Sequence, residues 1–131
     1  MANISAYAAK ACLDWALGGA AVTRPTSRYL GLDYGTPTST AKATEATYSG
    51  NVRQPVVFAA AASPGGSVSN SAAVNFAAVT YASTLRGFHI WDTASTGSGN
   101  LLFYGLLSAA TLPTSASAFS FAAGSILLTA L

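Results

Sequence analysis

Side chains able to perform acid–base, nucleophilic or metal-ligating chemistry are few in this 131-residue sequence, and they lie far apart. A general acid–base pair needs two carboxylates close together, and widely spaced residues meet only where the fold brings them together. One histidine, His89, and one cysteine, Cys12, provide neither a zinc ligand set nor an internal disulfide. We therefore predict no enzyme, no catalytic residue, no cofactor and no metal site. The four carboxylates are Asp14, Asp33, Glu45 and Asp92.

His89 lies in a short apolar alternation typical of a β-strand, on the face opposite Phe88 and Ile90. Half-buried and surface positions both fit this pattern, and we interpret the residue as structural. Asp92 follows the same strand and precedes hydroxyl residues, where a carboxylate can accept hydrogen bonds from the amides of its own loop. We interpret Asp92 as a turn residue rather than a ligand.

Two arginines, Arg53 and Arg86, lie within otherwise neutral strand sequence. We expect each to pair with a carboxylate or with carbonyl groups of a neighbouring subunit, because the guanidinium fork satisfies several acceptors at once. The basic residues are scattered, so the sequence predicts no basic face for nucleic acid.

Aromatic side chains are spread along the chain and could stack on sugars, but packing in the core or at an interface is our interpretation. Together with the residues above, they define the structural or interface candidates. These candidates are Tyr7, Trp15, Arg53, Arg86, Trp91 and Asp92.

One helix is predicted, from Ile4 to Leu17. Asn3 or Ser5 can cap its start, Gly18 and Gly19 end it, and apolar residues recur at helical spacing between them. We expect Trp15 and Leu13 to anchor this helix on the rest of the fold, with Tyr7 on a neighbouring part of the same surface. That apolar series is Ile4, Tyr7, Ala8, Ala11 and Trp15.

Short strand patterns separated by turn residues follow the helix. They predict one domain, residues 1–131, with the helix in 1–19 and an antiparallel, jelly-roll-like β-sandwich in 20–131. We also predict a hairpin of Leu85–Trp91 with Leu101–Leu107, a turn at Ser63–Asn70 and a closing hairpin around Ala123 and Gly124. An irregular polar loop is predicted at about 34–49, and a neighbouring subunit could order it. The remaining strands are Arg28–Asp33, Arg53–Ala60, Ala72–Phe76, Ala118–Phe121 and Ser125–Leu131.

The composition points to assembly. Charged residues make up 8% of the chain against ~25% in soluble domains, and 51% of the residues are apolar. A free monomer would expose large apolar patches, so we expect dimers or trimers. The apolar runs are too short to span a bilayer, and the first residues lack a signal-peptide pattern, which predicts synthesis in the cytoplasm and no membrane partner.

The order of short motifs resembles one family over nearly the whole chain: small virion proteins of tailed bacteriophages and prophages, often labelled phage tail fibre proteins. The resemblance implies a non-enzymatic virion structural protein made in the bacterial host cytoplasm. The motifs are Leu13-Asp14-Trp15, Thr23 to Leu32, Pro37-Thr38, Glu45, Ser49-Gly50, Arg53 to Phe58, Asn70-Ser71-Ala72, Phe76, Gly87 to Asp92, Gly99 to Gly105 and Ala123-Gly124-Ser125.

Within that family we interpret the chain as a capsid decoration or cement protein, because it combines a compact β domain, low charge and terminal segments that can reach a neighbour. Its partners would be the major capsid protein or other virion proteins. A tail-associated or tail-fibre module is the alternative, and a glycan-binding receptor module is a third interpretation.

Overall fold

A computed structural model describes residues 2–41, 44–46, 53–61, 66–77, 80–114 and 118–129. Among these residues, no helix is long and apolar enough to cross a membrane. The elements are β1 (Ala2–Ile4), α1 (Ala6–Leu17), β2 (Tyr29–Asp33), β3 (Gln54–Pro55), β4 (Ser67–Ser69), β5 (Val74–Asn75), β6 (Leu85–Trp91), β7 (Leu101–Thr111), β8 (Ser120–Phe121) and β9 (Leu127–Thr129).

Seven strands form one curled sheet in the order β3-β2-β6-β7-β1-β9-β4, and β5 pairs with β8 in a second, small sheet. The core fills the space between them, where Phe88 of the large sheet meets Phe121 of the small one edge to face. The predicted class, mainly β with one short helix and a sandwich-like core, is confirmed. The sheet is mixed rather than purely antiparallel, because β1 and β9 run parallel.

Strand β6 lies inside the sheet between β2 and β7. Leu85, Phe88, His89 and Ile90 are all buried, so both faces of this strand are covered. The β6–β7 hairpin agrees with the prediction, and β6 has the predicted bounds, whereas β7 continues to Thr111.

The predicted turn at Ser63–Asn70 is wrong in its described part, while residues 63–65 lie outside the described residues, and the predicted closing hairpin is wrong. Ser67–Ser69 is strand β4, which pairs with β9. The last two strands do not pair with each other, because β8 joins β5 while β9 lies between β1 and β4.

Buried Asn70 explains why the closing hairpin does not form. Its amide nitrogen donates to the carbonyls of Ala72 and Ala122, and its amide oxygen accepts from the backbone N–H of Ile126. Two of these hydrogen bonds join Asn70 to Ala122 and Ile126, which lie on either side of the turn and would face each other in a hairpin. The chain passes around Asn70 through a turn at Gly124, which has a φ of 79°.

Helix α1 begins later than predicted, because Ile4 belongs to β1 and Ser5 is the N-cap. The Ser5 hydroxyl accepts from the backbone N–H of Ala8 and donates to the carbonyl of Leu101, so one side chain both starts the helix and joins it to β7. Gly18 ends the helix in the left-handed conformation, and the sequence predicted this boundary.

The prediction that Trp15 and Leu13 anchor the helix is wrong. Trp15 is 80% exposed and Leu13 is 60% exposed, and Ala8 is the buried residue of α1. The helix is held instead by the Ser5 contacts and by a backbone hydrogen bond from Ala6 to Ser39. Apolar periodicity identifies a face that is suited to burial, but it does not say whether the cover comes from the same chain.

Replacing Ser5 with alanine should lower the free energy of unfolding by about 1–2 kcal/mol, because the helix cap and the bond to β7 are lost together. Chemical denaturation measures the change. Ser27→Ala, at an exposed loop serine, is the control and should stay within ~0.5 kcal/mol. Equal losses in the two variants would contradict the role given to Ser5.

Candidate functional site

Four ionisable side chains that are distant in the sequence form one buried network. His89 Nδ1 lies 2.6 Å from Asp33 Oδ2, and His89 Nε2 lies 3.2 Å from Glu45 Oε1. Arg53 donates two hydrogen bonds to the same glutamate, from Nε to Oε1 at 2.8 Å and from Nη2 to Oε2 at 3.2 Å. Asp33 and His89 are fully buried, Arg53 is 2% exposed and the Glu45 side chain is 6% exposed, so the network is almost closed to solvent.

The pairing of β2 with β6 places the histidine. His89 lies opposite Gly31, and a Cβ atom at Gly31 would come within 2.0 Å of the imidazole Nε2. The ring therefore occupies the space that a side chain at residue 31 would fill. From there it reaches Asp33, two residues further along β2.

The described part of the predicted polar loop positions Glu45 beside His89 and Arg53. The backbone N–H of Tyr34 donates to the carbonyl of Thr44, and the backbone N–H of Ala46 donates to the carbonyl of Leu32. These hydrogen bonds hold the segment beside β2, with Glu45 opposite Asp33. The contacts that position this part come from the same chain. Residues 42, 43 and 47–49 lie outside the described residues.

Arg53 connects the network to the loop between β6 and β7. Its Nη1 donates to the carbonyls of Thr93 and Ser98, each at 3.2 Å, and its Cζ lies 4.3 Å from the centre of the Trp91 ring. The carboxylate and carbonyl partners thus come from the same chain. The Trp91 ring also meets the His89 ring edge to face at 6.0 Å.

Asp92 shapes that loop. Its two oxygens accept from the backbone N–H and the side-chain amide of Asn100, both at 2.7 Å. Gly99 adopts a φ of 85°, and a Cβ there would collide with Thr93 and Asp92. The closed loop holds the carbonyls of Thr93 and Ser98, which accept hydrogen bonds from Arg53.

This arrangement is unsuited to turnover. Both nitrogens of His89 face carboxylates and the ring is fully buried, so it has no free position from which to take a proton from a substrate. The carboxylates lie on opposite sides of the ring and do not converge on one point. Within the described ranges, no group of three His, Cys, Asp or Glu residues could hold a metal ion.

The other sequence candidates lie elsewhere. Tyr7 and Trp15 are exposed on α1, and Arg86 is exposed on β6. Asp14, on the helix, forms an ion pair with Lys10. Sequence reasoning missed Asp33 and Glu45 as partners of His89. A charge inside strand-like sequence was the available signal for Asp33, whereas Glu45 lay in the predicted polar loop and carried no such signal.

A comparison with protein families gives a match over nearly the whole chain. The model of the family described as Podophage GP4 fiber I protein gp80 matches residues 3–129, which is nearly the whole chain and includes every member of the network. The chain belongs to this family. A comparison with curated proteins finds no match.

Membership of the gp80 family confirms the resemblance to phage tail fibre proteins. It makes the chain a bacteriophage structural protein and implies a place in the virion.

In this gp80-family chain, electrostatics favour the charged form of His89. Burial alone would lower its pKa, but the hydrogen bonds and negative charges of Asp33 and Glu45 outweigh burial and raise the pKa above 6.5. With His89 protonated, two cations face two carboxylates and the buried network has no net charge.

Replacing Arg53 with methionine should lower the free energy of unfolding by about 3–5 kcal/mol, because Glu45 would lose its bidentate cation inside the protein. Denaturant unfolding measures this loss. Arg86→Met removes an exposed cation from the same sheet and should change stability by less than ~0.5 kcal/mol. A similar small effect from both variants would show that the network does not stabilise the fold.

Stability should also depend on pH through the chain's single histidine. Because the folded state holds the His89 proton more tightly than the unfolded chain, the stabilisation is fully present below pH 6.5 and is lost as pH rises through the pKa of the folded state. Unfolding midpoints should therefore fall as the pH is raised from below 6.5 through the pKa of His89 in the folded state.

His89→Gln should remove that slope, while any contribution of the terminal amino group stays the same in both proteins. The ring pKa can be measured directly by NMR titration of the native protein. A ring that titrates at or below 6.5 would contradict the assignment.

Proposed function

We propose that this chain is a non-enzymatic structural module of the bacteriophage tail-fibre apparatus. The observation that carries the proposal is the match of residues 3–129 to a family described as a podophage fibre protein. The coverage matters, because the match extends from β1 to β9 and therefore concerns the whole described fold.

The chemistry of the network supports a structural role. A catalytic group must reach its substrate, whereas His89 and Asp33 are fully buried and both His89 nitrogens are occupied. The network instead ties β2, β6, the Thr44–Ala46 segment and the β6–β7 loop to one another. A module held in this way suits a part that transmits position and force.

The capsid-cement interpretation of the sequence gives way to the tail-fibre alternative. A compact β domain with little charge suits either place, so these features do not separate a shell protein from a fibre module. The family description favours the fibre. The partners we propose are accordingly other virion proteins of the tail rather than the major capsid protein.

The sequence of the chain limits the part that it can play in a fibre. The sequence lacks the heptads, the collagen period and the β-helix repeats that build long shafts. We infer a compact unit that attaches to longer components and does not itself form the shaft.

Virions that lack this protein should retain their DNA on heating as well as complete virions do, but they should adsorb poorly to host cells. Adsorption rates and heat-induced DNA release, measured on the same preparations, test both parts. Gold-labelled antibody against the protein should mark the tail of complete virions.

Supplying the wild-type protein in trans should restore adsorption. The destabilised Arg53→Met variant should restore it less well than its matched control Arg86→Met. Normal adsorption combined with DNA loss at a lower temperature would overturn the tail assignment and support a shell role.

A further inference from the structure

Two apolar hollows adjoin each other on the surface of the protein, and Arg24, Arg28 and Phe103 line both of them. The larger hollow, of about 440 Å³, reaches α1 at Trp15. The smaller, of about 320 Å³, reaches β9 at Leu128. The two arginines, which we call the arginine pair, therefore have an apolar hollow on either side.

The arginine pair has no carboxylate partner in its own chain. The chain has four side-chain carboxylates, and each already has another partner. Among the residues that the structure describes, neither arginine of the pair forms an ion pair. The partners of the carboxylates are Lys10 for Asp14, His89 for Asp33, Arg53 and His89 for Glu45, and Asn100 for Asp92.

Arg28 is held in place before any ligand arrives. It is half-buried, its backbone carbonyl accepts from the N–H of Val56 at 2.9 Å, and its Nη2 donates to the carbonyl of Pro25 at 3.3 Å. A guanidinium has five N–H donors, so most of them remain available to an outside acceptor. A side chain that is already oriented loses little freedom on binding, and Arg24, which is exposed, adds a second positive charge beside it.

A second copy of this chain does not suit the surface. It has no side-chain carboxylate without a partner, so it would cover the arginine pair without supplying a counter-charge. Covering a charge without compensation is unfavourable. The occupant must therefore bring its own anionic groups.

The arrangement of the hollows favours a polypeptide over a lipid. A membrane lipid carries its anionic group at one end of its apolar part, and a bilayer presents such groups as a plane. A polypeptide can instead place carboxylates between apolar side chains. That order matches a surface on which two cations lie between two apolar hollows.

We propose that the arginine pair and its two hollows bind an acidic segment of another virion protein. Carboxylates of the segment pair with Arg24 and Arg28, because the guanidinium fork matches a carboxylate, and apolar side chains on either side of them enter the two hollows. The inference goes beyond the proposed function, since it requires a partner in the virion but no particular place there.

Two synthetic peptides test the chemistry on the purified full chain. They are acetyl-Leu-Phe-Glu-Glu-Phe-Leu-amide and acetyl-Leu-Phe-Gln-Gln-Phe-Leu-amide, which have the same apolar groups and differ in charge. In NMR titrations the glutamate peptide should shift the Trp15 indole signal of one hollow and the Leu128 methyl signals of the other. It should bind roughly fivefold or more tightly than the glutamine peptide at low salt, and added sodium chloride should reduce this preference.

Variants of the arginine pair identify the groups that recognise the charge. Arg24→Gln combined with Arg28→Gln should abolish the preference for the glutamate peptide and leave the affinity for the glutamine peptide unchanged. Arg86→Gln removes an exposed cation that lines neither hollow and should keep the full preference. Circular dichroism and the denaturant midpoint establish that each variant is folded. If the double variant unfolds, the exposed Arg24→Gln alone decides, and it should lose part of the preference.

Incorporation into virions tests whether the partner lies there. Phage that lack the gene are grown with a variant supplied in trans, and the amount of the protein in purified virions is measured by quantitative mass spectrometry. Arg24→Glu should be incorporated several-fold less than its matched control Arg86→Glu, although both are folded. The readout is independent of adsorption and of DNA retention, so a wrong tail assignment leaves this result unaffected.

Four results would overturn the proposal. The first is equal affinity of the chain for the two peptides, or no binding of the glutamate peptide up to about 1 mM. The second is a folded arginine variant that keeps the full preference. The third is normal incorporation of Arg24→Glu. The fourth is arginine-dependent binding to phosphatidylglycerol vesicles, but not to phosphatidylcholine vesicles, by a chain that ignores the charge of the peptides, which would assign the surface to a membrane.

Discussion

The fold depends on keeping four ionisable groups paired in its interior. A buried charge is tolerated only when a partner compensates it, and here Glu45 joins Arg53 to His89 while Asp33 holds the far side of the ring. This requirement limits neighbouring positions. Residue 31 must be glycine to admit the ring, and the β6–β7 loop must present carbonyl groups to Arg53.

The same network affects the surface. Two of the four carboxylates of the chain, Asp33 and Glu45, are used inside the protein, so few charges remain outside. The exposed surface includes large apolar side chains, among them Trp15 and Leu17, which are each 80% exposed. An interior held together by paired charges fits a structural protein of the phage family to which the chain belongs.

Locally encoded features could be predicted from the sequence, while the site could not. Ser5 and Gly18 delimit the helix through interactions within one turn, and the strong β6 and β7 patterns predict their hairpin. The short strands β1 and β4 have too few residues for a recognisable alternation. Periodicity also marked Trp15 as a residue to be buried, but it gave no information on which chain would cover it.

The sequence by itself determined the mainly β class, the single helix, the β6–β7 hairpin and the family. Only the tertiary structure decided that Asn70 separates β8 from β9 and that Asp33 and Glu45 meet at His89. These contacts join residues 44 to 56 positions apart. Capping, turn and periodicity rules describe interactions between near neighbours, whereas such distant pairs depend on the path of the chain between them, and that path is set by the packing of the whole core.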